Sequence, residues 1–365
     1  MSCGIPVHQA EACLRDLRLL AEVREDEDIS FDGADRAASL AEFLAVCARS
    51  LTTEPGPRHG QFSDEFYRVR DVFVRAGVEA LAAQPLHAGE HWFQIGIRPR
   101  EDLWLRGELC RQVARLTRQL LSDSAIDDFF FMNKPPGMRL RFRTAARGSS
   151  SDLADLLDSE ARRWRAEGLI DYIEPGVYEP ESQLFGGPRS MCFVHALFTV
   201  DSLIWLDYHA HRVVESEEIS AAWLVSLAVL RSVFAGLDIT GWEDIGVWDR
   251  VREMAGRRLG DVKFSLPMYA EIAGQIRDVW SRRDQLIDAL DPATGAIVAL
   301  HDSALLTGAA RWRSGFFCQR KASLGPRTAA AFYVIFHWNR AALSSTEQAL
   351  LAESLSERIP GDVRG

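Results

Sequence analysis

Cysteine is sparse in this 365-residue chain and never paired. The six cysteines, Cys3, Cys13, Cys47, Cys110, Cys192 and Cys318, are scattered, and none belongs to a C-x-x-C pair. A zinc site or a disulfide framework is left without support, and the expected compartment is the reducing cytoplasm. The start, MSCGIPVHQAEACLRDL, lacks the basic opening and apolar core of a signal peptide. No uninterrupted apolar stretch approaches the ~18 residues of a membrane-spanning helix, so no membrane partner is expected. Positive charge is in deficit. A formal net charge of −10 argues against general affinity for nucleic acid or an anionic membrane. The chain has no G-x-S-x-G, P-loop, G-x-G-x-x-G or H-E-x-x-H motif. This argues against the common hydrolases, nucleotide-dependent enzymes and zinc proteases.

Apolar residues make up 47% and charged residues 26%, ordinary values for a globular protein. The length leaves room for two compact units. Residues 1–88 read as a small helical domain, because Ala10–Val23, Asp35–Leu51 and Ser63–Ala83 carry apolar residues at three- and four-residue spacing. A second domain spans residues 92–357. Its first part alternates: strand Trp92–Ile97, helix Glu101–Leu121, strands Asp127–Met132 and Met138–Arg143, a helix capped by Ser151 and running to about Glu167, and strand Leu169–Tyr178. The order β-α-β-β-α-β is that of a ferredoxin-like unit. From Ser190 onward the pattern is helical: Met191–Tyr208, Ala221–Leu237, Trp242–Ala255, Ala270–Leu290 and Thr328–Arg340. Ser344-Ser-Thr-Glu347 reads as a capping box that opens a last helix. The expected class is α+β.

The stretch Tyr178–Ser202, YEPESQLFGGPRSMCFVHALFTVDS, stands out. It predicts an extended run, a turn at Gly186-Gly187-Pro188 and a long apolar helix carrying His195. Tyr178, Glu181 and His195 are candidate general acids or bases, to be weighed against a purely structural histidine. Arg139, Arg141 and Arg143 alternate on one strand and should share a face, a ready site for carboxylates or else a solvated outer edge. Ser202 lies on the His195 side of its helix by helical spacing. His337-Trp-Asn-Arg340 closes the helix AAAFYVIFHWNR, either as a cap or as a site edge. Tyr208-His-Ala-His211 puts two histidines at i and i+2, off a common helix face, so no metal is expected.

Three motifs in order carry a resemblance: FFFMNKPPGMRLRF at Phe129–Phe142, YEPESQLFGGPRSM followed by ALFTVDS, and VIFHWNR. Over about Trp92 to Glu357 the chain resembles the small C-terminal domain of lantibiotic dehydratases, which also occurs as stand-alone "thiopeptide-type bacteriocin biosynthesis" proteins. The resemblance implies chemistry on a ribosomal precursor peptide with an acidic leader, without a cofactor. One such chemistry eliminates glutamate from glutamylated Ser or Thr. The other is pyridine synthesis, a formal aza-[4+2] cycloaddition of two dehydroalanines with loss of water and leader. Eliminating members typically carry Arg-Tyr-Gly-Gly where this chain has Leu184-Phe185-Gly186-Gly187, and a His where it has Ile335. These departures favour the pyridine synthase.

On that reading Tyr178, Glu181, His195 and His337 are the catalytic candidates. Arg139, Arg141, Arg143, Ser202, Asn339 and Arg340 are the candidates for holding substrate or leader. A separate dehydratase and a second copy of the chain are the further partners this reading implies. The alternatives are a glutamate eliminase and a non-catalytic scaffold that binds the leader.

Overall fold

The computed structural model describes residues 92–101, 103–134, 137–146, 148–212, 219–254, 256–259, 269–282, 285–320 and 322–357. The helical domain expected over residues 1–88 lies outside them. The described part is α+β. It opens with β1 (Trp92–Pro99), α1 (Leu103–Ser122), β2 (Ile126–Lys134), β3 (Gly137–Thr144), α2 (Ser150–Ala166) and β4 (Ile170–Gly176). The four strands form one antiparallel sheet in the order β2-β3-β1-β4, the ferredoxin-like arrangement. Period-two alternation divides its faces. Phe129, Phe131, Leu140, Phe142 and Ile97 are fully buried in one apolar core with α1 and α2. The other face carries Asp128 and Phe130 of β2, Arg139, Arg141 and Arg143 of β3, and Trp92 and Gln94 of β1, as the register pairs them.

The cap of α2 is Ser149 rather than Ser151. Ser149 keeps an extended backbone, and its hydroxyl accepts the Asp152 N–H at 3.3 Å, whereas Ser151 is already helical.

Seven helices follow among the described residues: α3 (Pro188–His211), α4 (Ala222–Gly236), α5 (Ile245–Met254), α6 (Tyr269–Ser281), α7 (Pro292–Trp312), α8 (Pro326–Arg340) and α9 (Ser345–Ser356). The capping box at Ser344 and Glu347 forms as expected. The helix expected over Ala270–Leu290 stops at Ser281. Helix α7 was not foreseen. It is small and apolar almost all round, so no face stands out in its sequence; Asp291 caps it by accepting the Thr294 N–H at 3.0 Å, and Pro292 follows in the first turn.

Helix α3 is the centre of this half, packing against α1, β2, α7 and α8. Its most apolar 18-residue window has mean hydropathy 1.3, enough by length and composition to cross a membrane, yet 72% of that window is buried inside the protein. The strand expected to run through Tyr178 ends at Gly176. Residues 177–181 form an irregular strap, a 3-10 turn covers Ser182–Phe185, and Gly186 and Gly187 adopt φ of +95° and +104° before α3 begins. Gly186 must be glycine on two counts. Its φ is positive, and a Cβ there would sit 2.5 Å from the Phe316 ring.

Candidate active site

The strap folds back over the polar face of the sheet. Tyr178 is buried, and its hydroxyl lies 2.8 Å from Nε2 of His195, two turns into α3. Both rings belong to an aromatic cluster. Trp92 lies 4.6 Å from His195 and 4.8 Å from Tyr178, and Phe130 lies 5.3 Å from Tyr178. Arg141 is sealed beneath this cluster. Its guanidinium carbon stands 4.5 Å from the Tyr178 ring centre and 4.9 Å from that of Phe130, and its Nε donates to Gln94 Oε1 at 2.7 Å. Such cation–ring contacts gain strength when water is excluded.

Burial sets the protonation here. The His195 pKa is lowered from 6.5 to about 3, first by desolvation and then by the Arg143 and Arg141 charges. Its imidazole is therefore neutral at physiological pH and can accept from or donate to the Tyr178 hydroxyl. Burial also lowers Arg141, against the raising effects of Glu181 and Tyr178. Asp128 is raised by burial, which Arg143 opposes.

Alternation predicts one shared face for Arg139, Arg141 and Arg143. The three do share a face, but that face is covered. Arg143 is locked to Asp128 by Nε and Nη2 at 2.7 and 2.5 Å, with Asp127 at 3.3 Å. Arg141 is only 4% exposed. Arg143 is half-buried, and half-buried Arg139 sits at the same face nearer the β2-β3 connection. Glu181 is half-buried in the strap, close enough to Arg141 to act on it electrostatically, and Glu179 is exposed.

The C-terminal motif lies in the core. His337 and Arg340 are completely buried. His337 Nδ1 lies 2.7 Å from Asp201 Oδ1, its Nε2 lies 2.9 Å from Ser226 Oγ, and Arg340 Nε donates to Asp201 Oδ2 at 2.7 Å. Burial alone would raise the Asp201 carboxyl, but His337 and Arg340 outweigh it and hold it below its ordinary value. Both ring nitrogens are engaged, and His337 thereby ties α8 to α3 and α4.

Ser202 and Asn339 likewise serve the sheet. Strand β2 is an edge, and its outward amides would be unpaired without help. The Phe129 N–H donates to Thr199 Oγ1 at 3.0 Å, the Phe131 N–H to Ser202 Oγ at 3.3 Å and the Asn133 N–H to Asn339 Oδ1 at 2.7 Å. Alternate residues of β2 thus meet side chains three apart on α3, then one from α8.

Sequence reading missed Trp92, Gln94 and Asp128. The signal was present in the antiparallel register, which sets Trp92 opposite Arg143 and Gln94 opposite Arg141. Among the described residues, no group of three or more His, Cys, Asp or Glu could hold a metal.

The family model described as "Lantibiotic biosynthesis dehydratase C-term" matches residues 92–359. The chain belongs to that family. No curated protein matches it. A solved structure with the same fold is the tRNA dependent lantibiotic dehydratase MibB from Microbispora sp. 107891, with a TM-score of 0.53 and 17% sequence identity. The match covers 75% of this chain and 28% of that one, so this lantibiotic dehydratase C-terminal family member spans less than a third of its relative's length. The family's description places it in lantibiotic biosynthesis.

Proposed function

We propose that this protein is a pyridine synthase of thiopeptide biosynthesis, joining two dehydroalanines of one precursor peptide by formal aza-[4+2] cycloaddition. The observation that carries the reading is the apolar character of Leu184 and Ile335, the positions matching the arginine and histidine typical of eliminating members. Both side chains are partly buried against the hydrophobic core, on the 3-10 turn and on α8, which pack together. Neither can stabilise a departing glutamate carboxylate.

The Tyr178–His195 pair suits the cycloaddition instead. One dehydroalanine must present its preceding amide as the iminol, which moves a proton from nitrogen to oxygen. A neutral imidazole beside a phenol can relay that proton without forming a lasting charge. Glu181 and the His195 side of the strap would serve loss of water and of the leader as a carboxamide. The main contribution would be entropic, from holding two distant dehydroalanines in reacting geometry.

A second reading, elimination of glutamate, draws on Arg141, whose guanidinium lies beside the same pair. One experiment separates the two. Purified protein is incubated with a leader-bearing peptide that already contains two dehydroalanines, and with a glutamylated peptide. Mass loss of water plus leader from the first supports the synthase. Turnover of the second alone supports the eliminase, and binding without turnover of either supports a scaffold.

A further inference from the structure

We propose that Trp92 Nε1 and Arg141 Nη1 form an acceptor subsite for a neutral amide carbonyl of a dehydroamino acid residue, next to the Tyr178–His195 pair. The choice of amide rests on the cycloaddition reading above; the two donors do not.

Both N–H groups are buried without a hydrogen-bond partner. Leaving a buried donor unpaired is unfavourable in a protein interior, so two such donors in one place suit an acceptor that arrives later. The two belong to one place. Trp92 and Arg141 both lie against the rings of Phe130 and Tyr178, and Trp92 also contacts His195. Gln94 fixes the guanidinium by holding Nε, which leaves a terminal nitrogen aimed away from that bond. Trp92 is the first residue of β1, and its side chain is half-buried although Nε1 itself is covered. The cover is the strap, where Val177 is 83% exposed and Glu179 and Pro180 are also exposed.

Charge balance argues for a neutral ligand. Arg143 is matched by Asp128 and Asp127, and Arg340 by Asp201. Glu181 already acts on Arg141. A carboxylate entering here would bring a second negative charge beside Glu181 into a site that excludes water, at a desolvation cost that Arg141 alone would have to offset. A carbonyl oxygen takes both hydrogen bonds without that charge. One of its donors, the indole, is neutral.

The test observes Trp92 directly. The full chain is prepared with ¹⁵N-labelled tryptophan, and the Trp92 indole resonance is assigned by its loss in Trp92→Phe, with unmoved positions of the remaining indole resonances showing that this variant folds. N-acetyldehydroalanine N-methylamide is then titrated, and L-glutamate in parallel. The expected result is a saturable downfield shift of the Trp92 indole with the amide and none with glutamate. Arg141→Lys, which keeps the charge but not the fork, should raise the apparent Kd for the amide by about tenfold. An indole unmoved by the amide, or moved equally by glutamate, overturns the proposal. Failure of the function reading looks different: the indole would shift with the amide while a peptide bearing two dehydroalanines is not turned over.

Discussion

The Tyr178 hydroxyl meets Nε2 of His195 at 2.8 Å, and this bond ties the strap after β4 to the second turn of α3. If the pair relays a proton, Tyr178→Phe and His195→Phe should each lower turnover per folded molecule by ~10²–10⁴. Each variant also breaks this buried hydrogen bond, so a stability loss of ~1–3 kcal/mol should accompany it. Denaturant titration and single-turnover mass spectrometry read the two effects separately. A variant that loses stability yet keeps wild-type turnover would make the pair purely structural.

Acid stability provides a second prediction. His195 has its pKa depressed from 6.5 to about 3 in the folded protein. Between those values the unfolded chain binds a proton that the folded chain refuses. Stability therefore falls as pH drops through that window, by up to about 1.4 kcal/mol per pH unit for this group, and is unaffected by it above pH 6.5. His195→Phe should show a shallower loss than the wild type over the same range, with Asp128, Arg141, Arg143 and Glu181 still present in both. Equal slopes from denaturation curves measured at several pH values would contradict the buried neutral imidazole.

Asp201 joins His337 and Arg340 where all three are inaccessible to water. Asp201→Ala should destabilise the protein by roughly 3–5 kcal/mol, because it strands the Arg340 guanidinium in the core. Loss of less than about 1 kcal/mol by urea titration would show that the network is not what holds α8 to α3.

Glutamate elimination provides the fourth prediction. A donor for the leaving carboxylate is typically worth roughly 3–4 kcal/mol in a water-poor site, and leucine supplies none. The wild type should not form dehydroalanine from a glutamylated Ser peptide fused to its leader. Leu184→Arg alone should not restore efficient elimination, since Ile335 still offers no acid or base. Rapid dehydroalanine formation by the unaltered protein, seen by mass spectrometry, would put the eliminase first.

The residues of one strand or helix announced their own sides. Alternation in GMRLRFRT placed Arg139, Arg141 and Arg143 together, and the β-α-β-β-α-β order followed from periods of two and 3.6 in successive segments. The capping box at Ser344 was equally local. These features rest on contacts between residues a few positions apart, so the chain displays them directly. Helix α7 escaped for a related reason: with almost no charge along its length, it has no polar face to set a period.

Whether a shared face meets water or protein is a different matter, because the covering element comes from elsewhere in the chain. The arginine strand reads as a site for carboxylates or a solvated edge until Tyr178 closes over Arg141. His337 reads as a catalyst at a helix end until Asp201, 136 residues away, takes its Nδ1. Ser202 and Asn339 read as polar residues near a site, and the edge of β2 claims both, with Thr199 beside them. Periodicity fixes which side chains travel together; burial and pairing follow from long-range packing, which sets the dielectric around each group and so its charge.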